Sequence, residues 1–166
     1  MASGVETLIT REMETARGKW GPERVSPPIA ASDIRKWAIA TYWPETPPAI
    51  YWDEDYAKTT SRGGVIAPAD FNPFAWPVRR PAPAAMAASA PRAAGAPRLT
   101  TMNGGQVDTY GAPMRPGDVI TARSRLQDFN ERQGRLGLTL YVFNETEWTN
   151  QNGAFVRRRV STAIRY

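Results

Sequence analysis

Residues 136–148 read LGLTLYVFNETEW, and their parity decides the fold. Leu136, Leu138, Leu140 and Val142 stand on one parity, and Tyr141 and Phe143 on the other. Successive side chains of a strand point to opposite faces. A strand apolar on both parities therefore predicts a central position in a sheet that a helix covers. Asn152-Gly153 follows, the dipeptide that tolerates the positive φ of a tight hairpin turn, and residues 154–166 continue as the partner strand. Upstream, residues 119–128 read as a strand, Met114-Arg115-Pro116-Gly117-Asp118 as a turn, and residues 106–110 as another strand.

The first half of the chain has a different period. Ile34, Trp37, Ala38 and Thr41 recur at the spacing of one helix face, with Ser32 as N-cap and Pro44 as the stop. A second helix is predicted over 53–61, opened by Asp53-Glu54-Asp55, whose charges suit a helix N-terminus, and closed by Gly63-Gly64. Residues 65–71 read as a buried approach to a third helix over 70–76, with Pro73 tolerated in its first turn. Helices first and antiparallel strands afterwards predict an α+β fold, a sheet packed on one helix. Residues 77–98 collapse to Ala, Pro and Arg, and Pro81, Pro83, Pro91 and Pro97 leave room at most for two helical turns over 84–90. This segment reads as a low-complexity insertion within a single domain spanning 1–166, either a loop or a lid that clasps ligand or partner.

Composition narrows the chemistry. None of the 166 residues is His or Cys, so the side chains most used for proton transfer and nucleophilic attack near neutral pH are missing. Zinc sites and disulfide frameworks are excluded on the same ground, and no metal or cofactor is expected. No apolar run approaches the ~20 residues of a membrane span, which predicts a soluble, cytoplasmic protein without membrane contact. The formal charge is +5, yet the arginines are interspersed with acids, and only Arg157-Arg158-Arg159 is a cluster. Strand alternation sends Arg157 and Arg159 to one face and Arg158 to the other. Nucleic-acid binding is not expected. A basic surface that meets a nucleotide-like ligand or an acidic partner subunit is the better reading.

Three stretches together resemble the MaoC-like hydratases and dehydratases of the hot-dog fold, in particular the N-terminal or FAS1-like dehydratase type. Residues 32–42 followed by Pro47-Pro48-Ala49-Ile50-Tyr51-Trp52-Asp53 resemble the family's helix and its D-x-N-P-x-H-x-D loop. Residues 57–71 are similar to A-x-x-x-x-x-G-G-x-I-A-P-x-x-F. Asn103-Gly104-Gly105-Gln106 with Arg115-Pro116-Gly117-Asp118 resembles N-G-G-Q and R-x-G-D. The resemblance implies a hot-dog fold, an antiparallel sheet wrapped around a central helix, with two such units pairing around an acyl-thioester tunnel. It implies hydration of a trans-2-enoyl thioester, or the reverse dehydration, by an Asp and a His that activate water, with backbone amides holding the thioester oxygen.

The departures from that pattern shape the functional expectation. Tyr51 stands where the family has its His, Glu45 is the only acid where the loop Asp belongs, and Pro68-Ala69 replaces the H-G that follows I-A. The resemblance therefore implies a non-catalytic subunit of a heteromeric (R)-specific enoyl-CoA hydratase or 3-hydroxyacyl-thioester dehydratase. A partner hot-dog subunit would supply Asp and His, and the ligand would be an acyl-CoA or acyl-carrier-protein thioester. Tyr51, Trp52, Phe71, Phe74 and Trp76 are candidates for lining the acyl channel or for ordinary core packing. Asn103 and Gln106 fix a turn or meet the pantetheine arm. Glu45 is a solvated loop acid or a catalytic one, Asp70 a cap of the central helix or a group at the tunnel mouth, and Asp53 a helix-starting acid or a catalytic one. Arg79, Arg80, Arg92 and Arg98 are solvated charges or contacts to CoA phosphates. Two alternatives stay open: a self-sufficient homodimeric hydratase or thioesterase using Glu45 or Asp70, and a non-enzymatic acyl-thioester binding module.

Overall fold

The computed structural model describes residues 7–75, 100–135 and 137–166. In chain order it contains α1 (Arg11–Ala16), β1 (Arg24–Val25), α2 (Ala31–Tyr42), a 3-10 turn (Ala49–Tyr51), α3 (Glu54–Thr59), β2 (Thr101–Tyr110), β3 (Ile120–Gly134), β4 (Gly137–Asn150) and β5 (Phe155–Arg165). The strands form one sheet in the order β1-β3-β4-β5-β2, every neighbouring pair antiparallel. The strand apolar on both parities is the central one, as its sequence demands, and Leu140 and Val142 are buried in it. Leu136 lies outside the described residues.

The Asn152-Gly153 turn joins β4 to β5 as expected. Gly153 takes φ 75°, the Asn150 amide donates to the Ala154 carbonyl at 3.0 Å, and the Asn150 side-chain oxygen accepts from the amides of both Asn152 and Ala154. Two strands run longer than their period suggested. β3 continues past Asp128 to Gly134, through an irregularity between Leu126 and Asp128. β2 begins at Thr101 and absorbs Asn103 and Gln106, between which its register against β5 shifts. The expected turn at Asn103 is therefore a β-bulge inside a strand, where the Asn103 carboxamide oxygen accepts from the Gly105 amide at 2.9 Å. Gly104 is required there, since a Cβ would stand 2.9 Å from side-chain carbons of Thr162 and Ile164.

The helices follow their sequence signals with two corrections. Asp53 caps α3 by accepting from the Tyr56 amide at 2.9 Å, and α2 ends at Tyr42 ahead of Pro44. The N-cap of α2 is Ala30, which makes no side-chain capping bond, and Ser32 sits inside the first turn. The helix expected over 70–76 is not formed in its described part, residues 70–75, which are turns and irregular backbone. The Asn72 side chain captures the Phe74 amide at 3.0 Å, a local bond that competes with helix. Trp76, the 77–98 segment with its candidate turns at 84–90, and Arg79, Arg80, Arg92 and Arg98 lie outside the described residues.

The core gathers at one end of the sheet. Ile34 of α2, Ala57 of α3 and the segment Val65, Ala67 and Phe71 pack with Met114 and with Ile120, Ala122, Trp148 and Val156 of the strands. More than one helix thus covers the sheet, because α3 and residues 65–71 share that task with α2. The rings of Trp37 and Phe71 meet edge to face at 5.5 Å, as do Phe74 and Trp148 at 5.4 Å. Among the described residues, no helix is long and apolar enough to cross a membrane.

Truncating fully buried Ile34 to Ala should cost about 2–5 kcal/mol in urea unfolding, while exposed Thr41→Ala on the same helix should stay within about 0.5 kcal/mol. A comparable loss from both would contradict this packing.

Candidate functional site

A cavity of 190 Å³ opens where the end of β2, the start of β5 and the segment before Phe71 converge. Its walls are Tyr51, Arg62, the run from Ile66 to Ala69, the run from Tyr110 to Met114, and Val156 with Arg157. Backbone bonds hold these walls together. The Ala67 amide donates to the Met114 carbonyl at 2.8 Å, and the amides of Gly111 and Ala112 donate to Val156 and Phe155 at 2.9 and 2.8 Å. The Arg115-Pro116-Gly117-Asp118 turn is the clamp. The Asp118 carboxylate accepts from the Arg115 amide at 2.8 Å and from Gln151 Nε2 at 3.0 Å, while Arg115 Nη2 donates to the Arg62 carbonyl at 2.6 Å. Gly111 permits the approach of the loop to β5, since a Cβ would fall 2.4 Å from the Phe155 carbonyl oxygen.

Two polar residues of the cavity are unusual for their surroundings. The Tyr51 phenol is held above its ordinary pKa, first by burial, then by its hydrogen bond and proximity to Tyr42 and by the charge of Asp70. It stays neutral near pH 7, a donor and not a base. Arg157 is only 5% exposed. Its guanidinium lies 3.6 Å over the Trp148 ring, and its Nη1 reaches the Ala69 carbonyl at 3.5 Å. Burial lowers its pKa, but a guanidinium remains cationic in proteins. No carboxylate among the described residues forms an ion pair with it.

Arg159, two residues on, is paired in full. Its Nε and Nη2 donate to the two Asp108 oxygens at 2.8 and 3.0 Å, and Gln106 Nε2 adds a third bond to Asp108 at 3.1 Å. The expected alternation holds, with Arg158 exposed and its neighbours covered. The bidentate bond to Arg159 is the chief reason that the Asp108 carboxyl is held below the usual carboxylate range.

Of the residues singled out from the sequence, Tyr51 reaches the cavity wall. Phe71 is buried against Trp37, and Phe74 packs on Trp148 under the Arg24 guanidinium. Trp52 is 41% exposed, with its indole N–H donating to the Pro47 carbonyl at 3.0 Å. Asn103 is exposed on β2. Glu45 is an exposed loop acid, Asp53 is the cap of α3, and Asp70 is exposed, its charge acting on both Tyr51 and Arg157. Tyr110, Ile66 and Met114 were not singled out, and Arg157 was named only as a member of the basic cluster. Arg157 carried one signal, its place on the strand parity opposite Arg158. Among the described residues, no group of three His, Cys, Asp or Glu is placed to hold a metal ion.

This antiparallel sheet under short helices is the hot-dog fold of the MaoC-like hydratases and dehydratases, and solved structures share it. One is the ChsH1-ChsH2 complex from Mycobacterium tuberculosis, with TM-score 0.62 and 17% identity over 92% of this chain and 86% of that one. Another is the C-terminally truncated HadBC (3R-hydroxyacyl-ACP dehydratase) complex of the same organism, with TM-score 0.59 and 17% identity over 90% and 96%. A third is the (R)-hydratase from A. caviae involved in PHA biosynthesis, with TM-score 0.55 and 15% identity over 87% and 95%. The sequence pattern described as FAS1-like, dehydratase domain region, matches residues 16–159, and the chain belongs to that family. No curated protein matches it.

The Asp108 carboxylate contributes stability above its unfolded pKa near ~3.9, and this is lost as pH falls through its lower folded value. The stability gap between the unaltered chain and Asp108→Asn should therefore be widest at about pH 6 and narrow below about pH 4. Chemical denaturation across that range checks this, and a gap that does not change with pH would refute it.

Proposed function

We propose that the chain is the non-catalytic subunit of a heteromeric (R)-specific enoyl-CoA hydratase or 3-hydroxyacyl-thioester dehydratase. It shapes the acyl-thioester pocket, and a partner hot-dog subunit supplies the Asp and His that activate water. One observation carries the reading: no histidine occurs in the chain, and where the resemblance puts the family's His stands a tyrosine, whose phenol is neutral near pH 7 even at its ordinary pKa. A positioned general base contributes about 10²–10⁴-fold, which a partner's histidine would supply to a chain that has none. The heteromeric assemblies named for two structures of the same fold are consistent with such a division of labour. The working unit in this proposal is a single hot-dog domain with 77–98 as an insertion, acting in the cytoplasm. Tyr51, with Ile66, Pro68 and Met114 beside it, forms part of the pocket wall. Trp52, Phe71, Phe74, Trp76 and Asn103 remain candidates for the rest of the acyl path.

One observation favours a second reading. Asp70 is an exposed acid whose charge reaches Tyr51 and Arg157 at the cavity, which is where a self-sufficient homodimer using a lone carboxylate would need one. Neither acid is itself a wall of the cavity, and Glu45 is not among the charges that act on Tyr51 or Arg157.

The purified chain should hydrate no crotonyl-CoA, and addition of a hot-dog subunit bearing the Asp and His motif should bring activity. Turnover by the chain alone that Asp70→Asn abolishes would replace the first reading by the second. Binding of acyl thioester without turnover in any pairing would leave a binding module. In the reconstituted pair, Tyr51→Ala should raise KM while kcat changes by less than about 10-fold, because no general base is removed. A fall in kcat of about 10³-fold at unchanged KM would instead place Tyr51 in the chemistry.

A further inference from the structure

Arg157 is the one buried cation at the cavity wall among the described residues. Taking a charge this far out of water is costly unless an opposite charge and hydrogen bonds compensate. No acid among the described residues provides that partner. Asp108 is engaged by Arg159 through both oxygens, and exposed Asp70 acts on Arg157 at a distance without forming an ion pair. Residues 76–99 contain no Asp or Glu, and residues 1–6 only Glu6. The Trp148 ring covers one face of the guanidinium, and the Ala69 carbonyl takes one donor at the long distance of 3.5 Å. A guanidinium has five donors, so most remain for a visitor in the cavity.

We infer that the cavity is a binding site for an organic ligand carrying one carboxylate, whose two oxygens are held by the planar fork of Arg157 and whose hydrocarbon portion lies against Ile66, Pro68, Met114 and Val156. A carboxylate matches the fork in a bidentate arrangement. The apolar lining of Ile66, Pro68, Met114 and Val156 suits a hydrocarbon portion behind the carboxylate, which inorganic phosphate lacks. The inference deepens the acyl-pocket reading, and rests on it only in making that ligand an acyl group with a carboxylate of its own.

Calorimetric titration of the full chain with hexanoate, hexanamide and inorganic phosphate tests it. Hexanoate should bind at least about 10-fold more tightly than its neutral amide and than phosphate, a preference that Arg157→Met removes and Arg157→Lys retains in part. Equal binding of hexanoate and hexanamide, binding of neither, or phosphate binding as tight as hexanoate overturns the inference. If Arg157→Met does not fold, the comparison of the three probes on the unaltered chain still decides. These titrations need no catalytic partner, so a failed reconstitution of hydration would leave the carboxylate preference standing, and the converse also holds.

Discussion

The indole of Trp148 is the contact on which core and cavity both depend. Phe74 meets it edge on at 5.4 Å and Arg157 stacks over it at 3.6 Å. The register makes this possible. Arg157 is the partner of Trp148 and Phe155 is the partner of Thr149, so β5 carries an extra residue, Val156, at that point. A bulge breaks the strict alternation of a strand, and consecutive Val156 and Arg157 are both buried. Val156 joins the apolar core, and Arg157 faces the cavity that the core supports.

The charges elsewhere on the sheet are arranged differently. Arg123 and Arg125 of β3 pair with Glu147 and Glu145 of β4 across the ladder, and both guanidinium groups lie 4.3 Å from the Trp20 ring. Glu145 is 2% exposed and receives Arg125 Nε at 2.7 Å. Such pairs largely offset their own desolvation and add little net stability, but they show how this chain accommodates a buried charge, by a partner on the next strand. Arg157 lacks that arrangement, and the difference lends it chemical interest beyond packing.

Much of the fold was legible because it rests on local rules. Period-two alternation located the strands, Asn152-Gly153 the hairpin, and Asp53 ahead of Glu54 and Asp55 the start of α3. The illegible parts depend on competition between local and distant bonds. The apolar approach at residues 65–71 suggested a helix over 70–76, but the Asn72 side chain binds the Phe74 amide that such a helix needs. The bulge at Asn103 and Gln106 looked like a turn, because glycines mark both and only the pairing of β2 with β5 separates them.

By itself, the sequence determined which chemistry this chain lacks and which sheet it builds, since the absence of histidine is a matter of composition and strand parity a matter of spacing. Only the tertiary structure decided that Arg157 is buried, stacked on Trp148 and without an ion pair to any carboxylate of the described residues. Those properties come from a one-residue bulge between strands and from Asp108 being engaged elsewhere, and long-range pairing of this kind has no signature within either strand.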